Sequence, residues 1–214
     1  MSIATAFRAM GGFQGASLTE SLSVIERSIV GLNVEEMQTF CGGRGIDHAF
    51  MASAVSIKKL AGQINVIIHA AGILCSLPHI LEPDEVVQSV SLGAGNTGRK
   101  FDLETNQRVA EYKFIDWQGG AESIRQNGIF KDFFELAEYE TKKRKYLYVV
   151  GTDYPLRFLK GGRALSSVLS RRPDVLAQIA EKYGDNVTKV RDYYQFNCKK
   201  VEILDVSPFI GRSV

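Results

Sequence analysis

The chain has 214 residues, with 26 Lys and Arg against 24 Asp and Glu for a formal net charge of +2; 45% of it is hydrophobic and 23% charged. Those proportions suit one folded domain, and twenty glycines against five prolines exclude a proline-rich or collagen-like chain. Three widely spaced cysteines, Cys41, Cys75 and Cys198, exclude a disulfide framework and a CxxC metal knuckle, so a reducing, cytoplasmic setting is expected.

Met1 to Gly15 lacks the charged start and long apolar core of a secretory signal. The first eighty residues read as helical. Ser17 and Glu20 have capping-box spacing, and the helix they open carries Leu22, Ile25 and Ile29 on one stripe. Asn33 can cap a short helix ending at Gly42-Gly43. Asp47 can cap a longer apolar helix towards Pro78, with a break expected near Gly62. Its most apolar part is Ile64 to Leu77, and extended to Leu81 it contains Asn65, His69, Pro78 and His79. A membrane span needs about 20 predominantly apolar residues, so a buried core helix and no membrane role are expected.

After Pro83 the pattern changes. Val86 to Leu92 is strand-like, Gly93 to Gly98 is a glycine-rich loop, and strand-like runs follow at 99–105 and 108–116. A helix is expected over 121–140, with Ile129, Phe130, Phe133 and Leu136 on its buried side. Tyr146 to Val150 reads as a strand buried on both faces. Helices over 155–170 and from Pro173 to Tyr183 follow, then a strand within 199–206. The expected architecture is α/β: a mixed sheet with a helix-strand-strand-strand-helix-strand core over 81–151. An N-terminal helical region, 1–80, and C-terminal helices with a strand, 152–214, flank it within one domain. The crossover from the third strand to the run at 146–150 should leave those two strands parallel.

Charge is unevenly distributed. Residues 1–98 hold 5 basic and 8 acidic side chains; residues 99–214 hold 21 and 16. A basic block over 142–172 includes Lys142, Lys143, Arg144, Arg157, Lys160 and Arg163, and with Arg99 and Lys100 it suits contacts to a phosphate backbone. A basic run taken alone is as readily a solvated face. Gly93-Ala-Gly-Asn-Thr-Gly98 spells GxGxxG, but a dinucleotide site needs a helix opening at its last glycine. The residues after it alternate as a strand does.

The informative segment is Phe101 to Phe114. A turn centred between Asn106 and Gln107 sets Asp102 directly opposite Glu111. Alternation then gives Lys113 the face of Glu111, and Phe101, Leu103, Ala110 and Tyr112 the other. Two carboxylates about 5 Å apart repel by about 3 kcal/mol at an effective dielectric near 20. A divalent cation turns that repulsion into a ligand set: two carboxylates, the Tyr112 carbonyl and water suit Mg²⁺, with Mn²⁺ as its substitute. Lys113 is placed to orient or help deprotonate a water and to offset phosphate charge. The plain alternative is an exposed ionic hairpin.

Asp102, eight residues, then Glu111-Tyr112-Lys113 resembles the PD-(D/E)xK motif of the restriction-endonuclease-like nucleases, whose helix-strand-strand-strand-helix-strand core is similar to the order read here. The resemblance covers roughly residues 80–151, with Phe101 at the nominal proline. It implies Mg²⁺-dependent cleavage of phosphodiester bonds, usually in DNA, by Asp102 and Glu111 as ligands and Lys113 beside the attacking water. It also implies a further glutamate from the first core helix, for which Glu20, Glu36 and Glu85 are candidates, and in some members a glutamine, for which Gln126 stands in place. Cutting both strands leaves a homodimer open. A nucleic-acid-binding protein of the same fold that does not cut is the alternative. Among the other polar residues, His48, His69 and His79 lack ligand spacing, and His69 reads as a satisfied core histidine. Trp117 and the Tyr193-Tyr194 pair read as packing rather than base-stacking residues.

Overall fold

The computed structural model describes residue 4 and residues 18–93, 98–114, 117 and 123–211. They divide into two compact units, residues 1–65 and 66–214.

In the first unit α1 spans Leu18–Ile29 and α2 spans Val34–Gly43. Asn33 caps α2 as expected: its Oδ1 accepts the Glu36 N–H at 3.0 Å and the Glu36 carboxylate accepts the Asn33 N–H at 2.9 Å. Asp47 accepts the Phe50 N–H at 2.8 Å and opens α3, His48–Ile80. Ser17 lies outside the described residues.

Helix α3 corrects two expectations. It runs unbroken through Gly62 for 33 residues, about 50 Å at 1.5 Å per residue. It is also mostly uncovered: 17% of its most apolar 18-residue window is buried, with Leu60, Ile64, Val66, Ile67 and Leu74 exposed. Nothing among the described residues breaks the turn at Gly62, and one glycine costs a long helix only about 1 kcal/mol. Among the described residues α3 is the one helix long and apolar enough to cross a bilayer.

The second unit holds a five-stranded mixed sheet in the order β1 (Val87–Val90), β2 (Leu103–Thr105), β3 (Arg108–Lys113), β4 (Arg144–Val149), β5 (Glu202–Asp205). The first two pairings are antiparallel and the last two parallel. Helix α4, Ser123–Glu138, connects β3 to β4. The expected helix over 155–170 is two: α5, Asp153–Leu159, and α6, Leu165–Val168. Gly161-Gly162 interrupts them, and a Cβ on Gly161 would meet the Phe158 carbonyl oxygen at 2.9 Å. Helices α7, Pro173–Tyr183, and α8, Val190–Asn197, precede β5, and α9, Ser207–Ile210, follows it.

Strand alternation divides the core in two. Val109, Leu147 and Val149 face α4, whose Ile129, Phe130, Phe133 and Leu136 recur at helical spacing, and this cluster extends to Ile179 and Tyr193. Leu103, Ala110, Tyr112, Tyr146 and Tyr148 face the other way, against Ile73, Leu77 and Ile80 of α3. Gly72 permits that approach, since a Cβ there would meet the Phe114 ring at 2.5 Å.

Residues 94–97 lie outside the described set, but residues 98–102 form bends that lead into β2 and no helix opens at Gly98. That removes the dinucleotide reading. Phe101 also departs from expectation by joining the α4 cluster instead of sharing a face with Leu103. Regular pleating begins at Leu103, so the bends before it free Phe101 and Asp102 from strict alternation.

Candidate active site

Leu103 pairs with Ala110 and Glu104 with Val109, and this register, continued one step, sets Asp102 opposite Glu111. The two carboxyl groups act on each other electrostatically, each shifting the other's proton affinity. Asp102 Oδ2 accepts the Tyr112 N–H at 3.0 Å and Oδ1 lies 3.3 Å from His69 Nε2. Lys113 points to the α4 side, where its Nζ forms an ion pair with Asp132 Oδ2 at 2.6 Å. Tyr112 between them turns its ring into the opposite cluster, stacked on Phe114 and Tyr148. Two residues of β3 and one from the preceding bend therefore meet at one place, where a helix on each face adds a polar side chain.

Burial opposes charge on Asp102, but the His69 contact and the Tyr112 N–H hold its carboxyl below the ordinary value. Glu111 moves the other way: burial first, then Asp132 and Asp102, pushes its carboxyl up to about 9. Lys113 is half-buried, which opposes its charge, yet Asp132 beside it holds the ammonium above the usual lysine range. Three carboxyl groups thus share one ammonium, and burial pushes both Glu111 and Asp132 up, against the pull of Lys113. Among the described residues no group of three or more His, Cys, Asp or Glu side chains could hold a metal ion. Asp102 and Glu111 are the two hard oxygen donors here that could take part in holding a divalent ion.

The remaining candidates separate by position. In the parallel β3–β4 ladder Lys113 stands beside Val149 and Arg108 beside Arg144. Lys142, Lys143 and Arg144 therefore lie at the far end, about 17 Å from the Lys113 level at roughly 3.3 Å per residue. Lys143 is engaged there by Glu104 and Gln88, both at 2.7 Å, and Arg144 by Glu82 at 2.5 Å. Lys100 stands over the Tyr139 ring at 4.2 Å. Glu85 also belongs to the far end, where its buried carboxylate pairs with Arg108 and accepts the Thr105 hydroxyl at 2.6 Å. Glu36 closes the α2 cap, and Glu20 likewise belongs to the first unit. Gln126 accepts a hydrogen bond from Arg163.

Arg157, Lys160 and Arg163 come after β4 in the chain, whose last residue, Val149, pairs with Lys113. Arg157 and Arg163 border a recess of about 310 Å³ with Trp117 and Gln126. A slot of about 230 Å³ beside Lys113 is lined by Trp117, Ile124, Arg125, Ile129, Val149 and Pro155. The buried Trp117 indole N–H has no hydrogen-bond partner among the described residues.

Sequence reasoning missed Asp132 and undervalued His69. Asp132 left a signal: it occupies the helical stripe of Ile129, Phe133 and Leu136, and a carboxylate at a core position needs a partner. His69 left none, because only the fold brings α3 beside Asp102. Comparison with protein-family models, with curated proteins and with solved structures finds no match to this chain.

Proposed function

We propose that the protein is a metal-dependent nuclease of the PD-(D/E)xK type, cleaving phosphodiester bonds with DNA as the first substrate to test. One observation carries the reading: Asp102, Glu111 and Lys113 lie together by the C-terminal half of the central strand β3, with the two acids opposed when the β2–β3 register is continued one step. Nothing in the fold's stability calls for that placement, since both acids carry a desolvation cost. Asp102 and Glu111, with the Tyr112 carbonyl, would hold Mg²⁺ or Mn²⁺, which supplies Lewis-acid stabilisation of the phosphate and a more acidic water. Lys113, anchored by Asp132, directs its ammonium at the attacking water and the developing phosphate charge. Arg157, Lys160 and Arg163 hold the backbone, and the slot walled by Trp117 receives the neighbouring nucleotide.

The test is incubation of plasmid and single-stranded DNA with Mg²⁺, Mn²⁺ or EDTA. Cleavage that needs the metal and disappears in Lys113→Ala, with circular dichroism unchanged, is the expected outcome. A salt-sensitive gel shift with no cleavage under any metal contradicts the proposal and favours a non-catalytic nucleic-acid-binding protein.

A further inference from the structure

The first turns of α4 border two cavities. Ser123, Asn127, Lys131 and Phe134 recur at helical spacing along one stripe of α4 and form one wall of a recess of about 560 Å³. The segment from α6 to the start of α7 forms the other wall. There Val168, Leu169 and Val175 are buried, and the Arg172 N–H closes the turn on the Leu169 carbonyl at 2.8 Å. Four cations line the recess, Lys131, Arg163, Arg171 and Arg172, against one carboxylate, Glu135. Lys131 has Glu135 at 3.7 Å and Arg172 has Asp174 at 2.8 Å. Arg163 donates to neutral partners, Gln126 and Ser167, and the exposed Arg171 side chain has no partner among the described residues. Two guanidinium groups are thus left without a carboxylate, and like charges gathered at one cavity favour an anion as its occupant. The recess meets the slot beside Lys113 at Ile124 and Gly128, which line both. Gly128 has no side chain to part them: a Cβ there would stand 4.0 Å from Lys113 Cε and meet nothing nearer.

We propose that this recess binds the phosphate backbone of a single nucleic-acid strand, which passes over Gly128 into the slot at Lys113. The substrate is then single-stranded rather than duplex nucleic acid. The proposal rests on the nuclease reading above and names the form of its substrate. Guanidinium groups bind phosphate oxygens through forked, charge-assisted hydrogen bonds, and the Ser123, Ser167 and Ser170 hydroxyls beside them are further donors. Cavities of about 300–1,000 Å³ each enclose one drug-sized molecule, so the recess and the smaller slot suit successive nucleotides of one strand and exclude a duplex. The slot is walled by Trp117, Ile129, Val149 and Pro155, apolar surface that suits an unpaired base. A basic groove along the backbone with an aromatic side chain at the bases is the general form of a single-strand site.

Fluorescence anisotropy of a labelled single-stranded oligonucleotide and of its duplex, in EDTA so that nothing is cut, tests this on the full chain. Trp117 is the single tryptophan, so its emission reports on the slot. The wild type should bind the single strand at least about tenfold more tightly than the duplex, the worth of one stacked base, and the strand should quench Trp117. Arg171→Ala should lower the salt slope of single-strand binding by about 0.7, the share of one phosphate. Gly128→Leu should still bind the strand but leave Trp117 unquenched. Equal affinity for the duplex overturns the single-strand assignment, an unchanged slope in Arg171→Ala overturns the recess, and full quenching in Gly128→Leu overturns the path between the cavities. A strand bound as expected yet uncut with every metal overturns the nuclease reading and leaves the recess standing. No binding of either form by the wild type overturns both.

Discussion

Glu111 carries the largest electrostatic strain of the three motif residues. Burial and two neighbouring carboxyl groups push its carboxyl up to about 9, so a glutamine should be close to its isostere near neutral pH. Glu111→Gln should change the stability of the metal-free protein by less than about 1 kcal/mol. With Mn²⁺ the wild type should melt higher and the variant should not, read by calorimetry with and without metal. A large loss of stability in the metal-free variant would mean that Glu111 serves the fold. The Asp102–Glu111 opposition was legible from the sequence, because a hairpin register is set by a few turn residues and the period of the strand. Asp132 and His69 were not, because each depends on the angle at which a distant helix crosses the sheet.

Helix α3 shows how one glycine and another differ by surroundings alone. A Cβ at Gly72 would collide with the Phe114 ring, whereas one at Gly62 meets nothing within 4 Å. Gly62→Ala should therefore stabilise the chain by up to about 1 kcal/mol through helix propensity. Gly72→Ala gains the same propensity but overpacks, at a cost of about 1–3 kcal/mol, and should be neutral to destabilising in urea melts. Equal stabilisation by both variants would contradict the α3–Phe114 packing. The short strands, α4 and α7 were legible because their periods of two and 3.6 are unambiguous. The unbroken course of α3 was not: its apolar residues surround the helix instead of forming a stripe, and the sequence gives no sign of which side is covered.

Over the whole molecule, the basic block of the sequence is two groups. Lys143 and Arg144 are engaged by Glu104, Gln88 and Glu82, while Arg157, Lys160 and Arg163 follow β4 in the chain and Arg157 and Arg163 border the Trp117 recess. Replacing Arg157 or Lys160 by alanine should lower the salt dependence of DNA binding by about one unit of slope each. Lys143→Ala should leave that slope unchanged. The reverse order would move the nucleic-acid path to the far end of the sheet. Acid stability should centre on Glu138, which accepts the hydroxyls of Tyr183 at 2.6 Å and Tyr193 at 2.7 Å and pairs with Lys182. Burial works against its charge, but these donors hold its carboxyl below the ordinary 4.5. A depressed folded value means stability that is present above the ordinary range and lost as pH falls through the folded one. Glu138→Gln should lower the melting temperature at pH 7 and flatten its decline below about pH 4.5; a parallel decline would exclude Glu138 as a source of the acid limb. The central claim concerns the two acids of the β2–β3 hairpin and the ion between them. Anomalous diffraction from crystals soaked in Mn²⁺ addresses it most directly. A peak bridging the Asp102 and Glu111 carboxylates is the outcome expected here, and a fully loaded crystal with no manganese between them would contradict it.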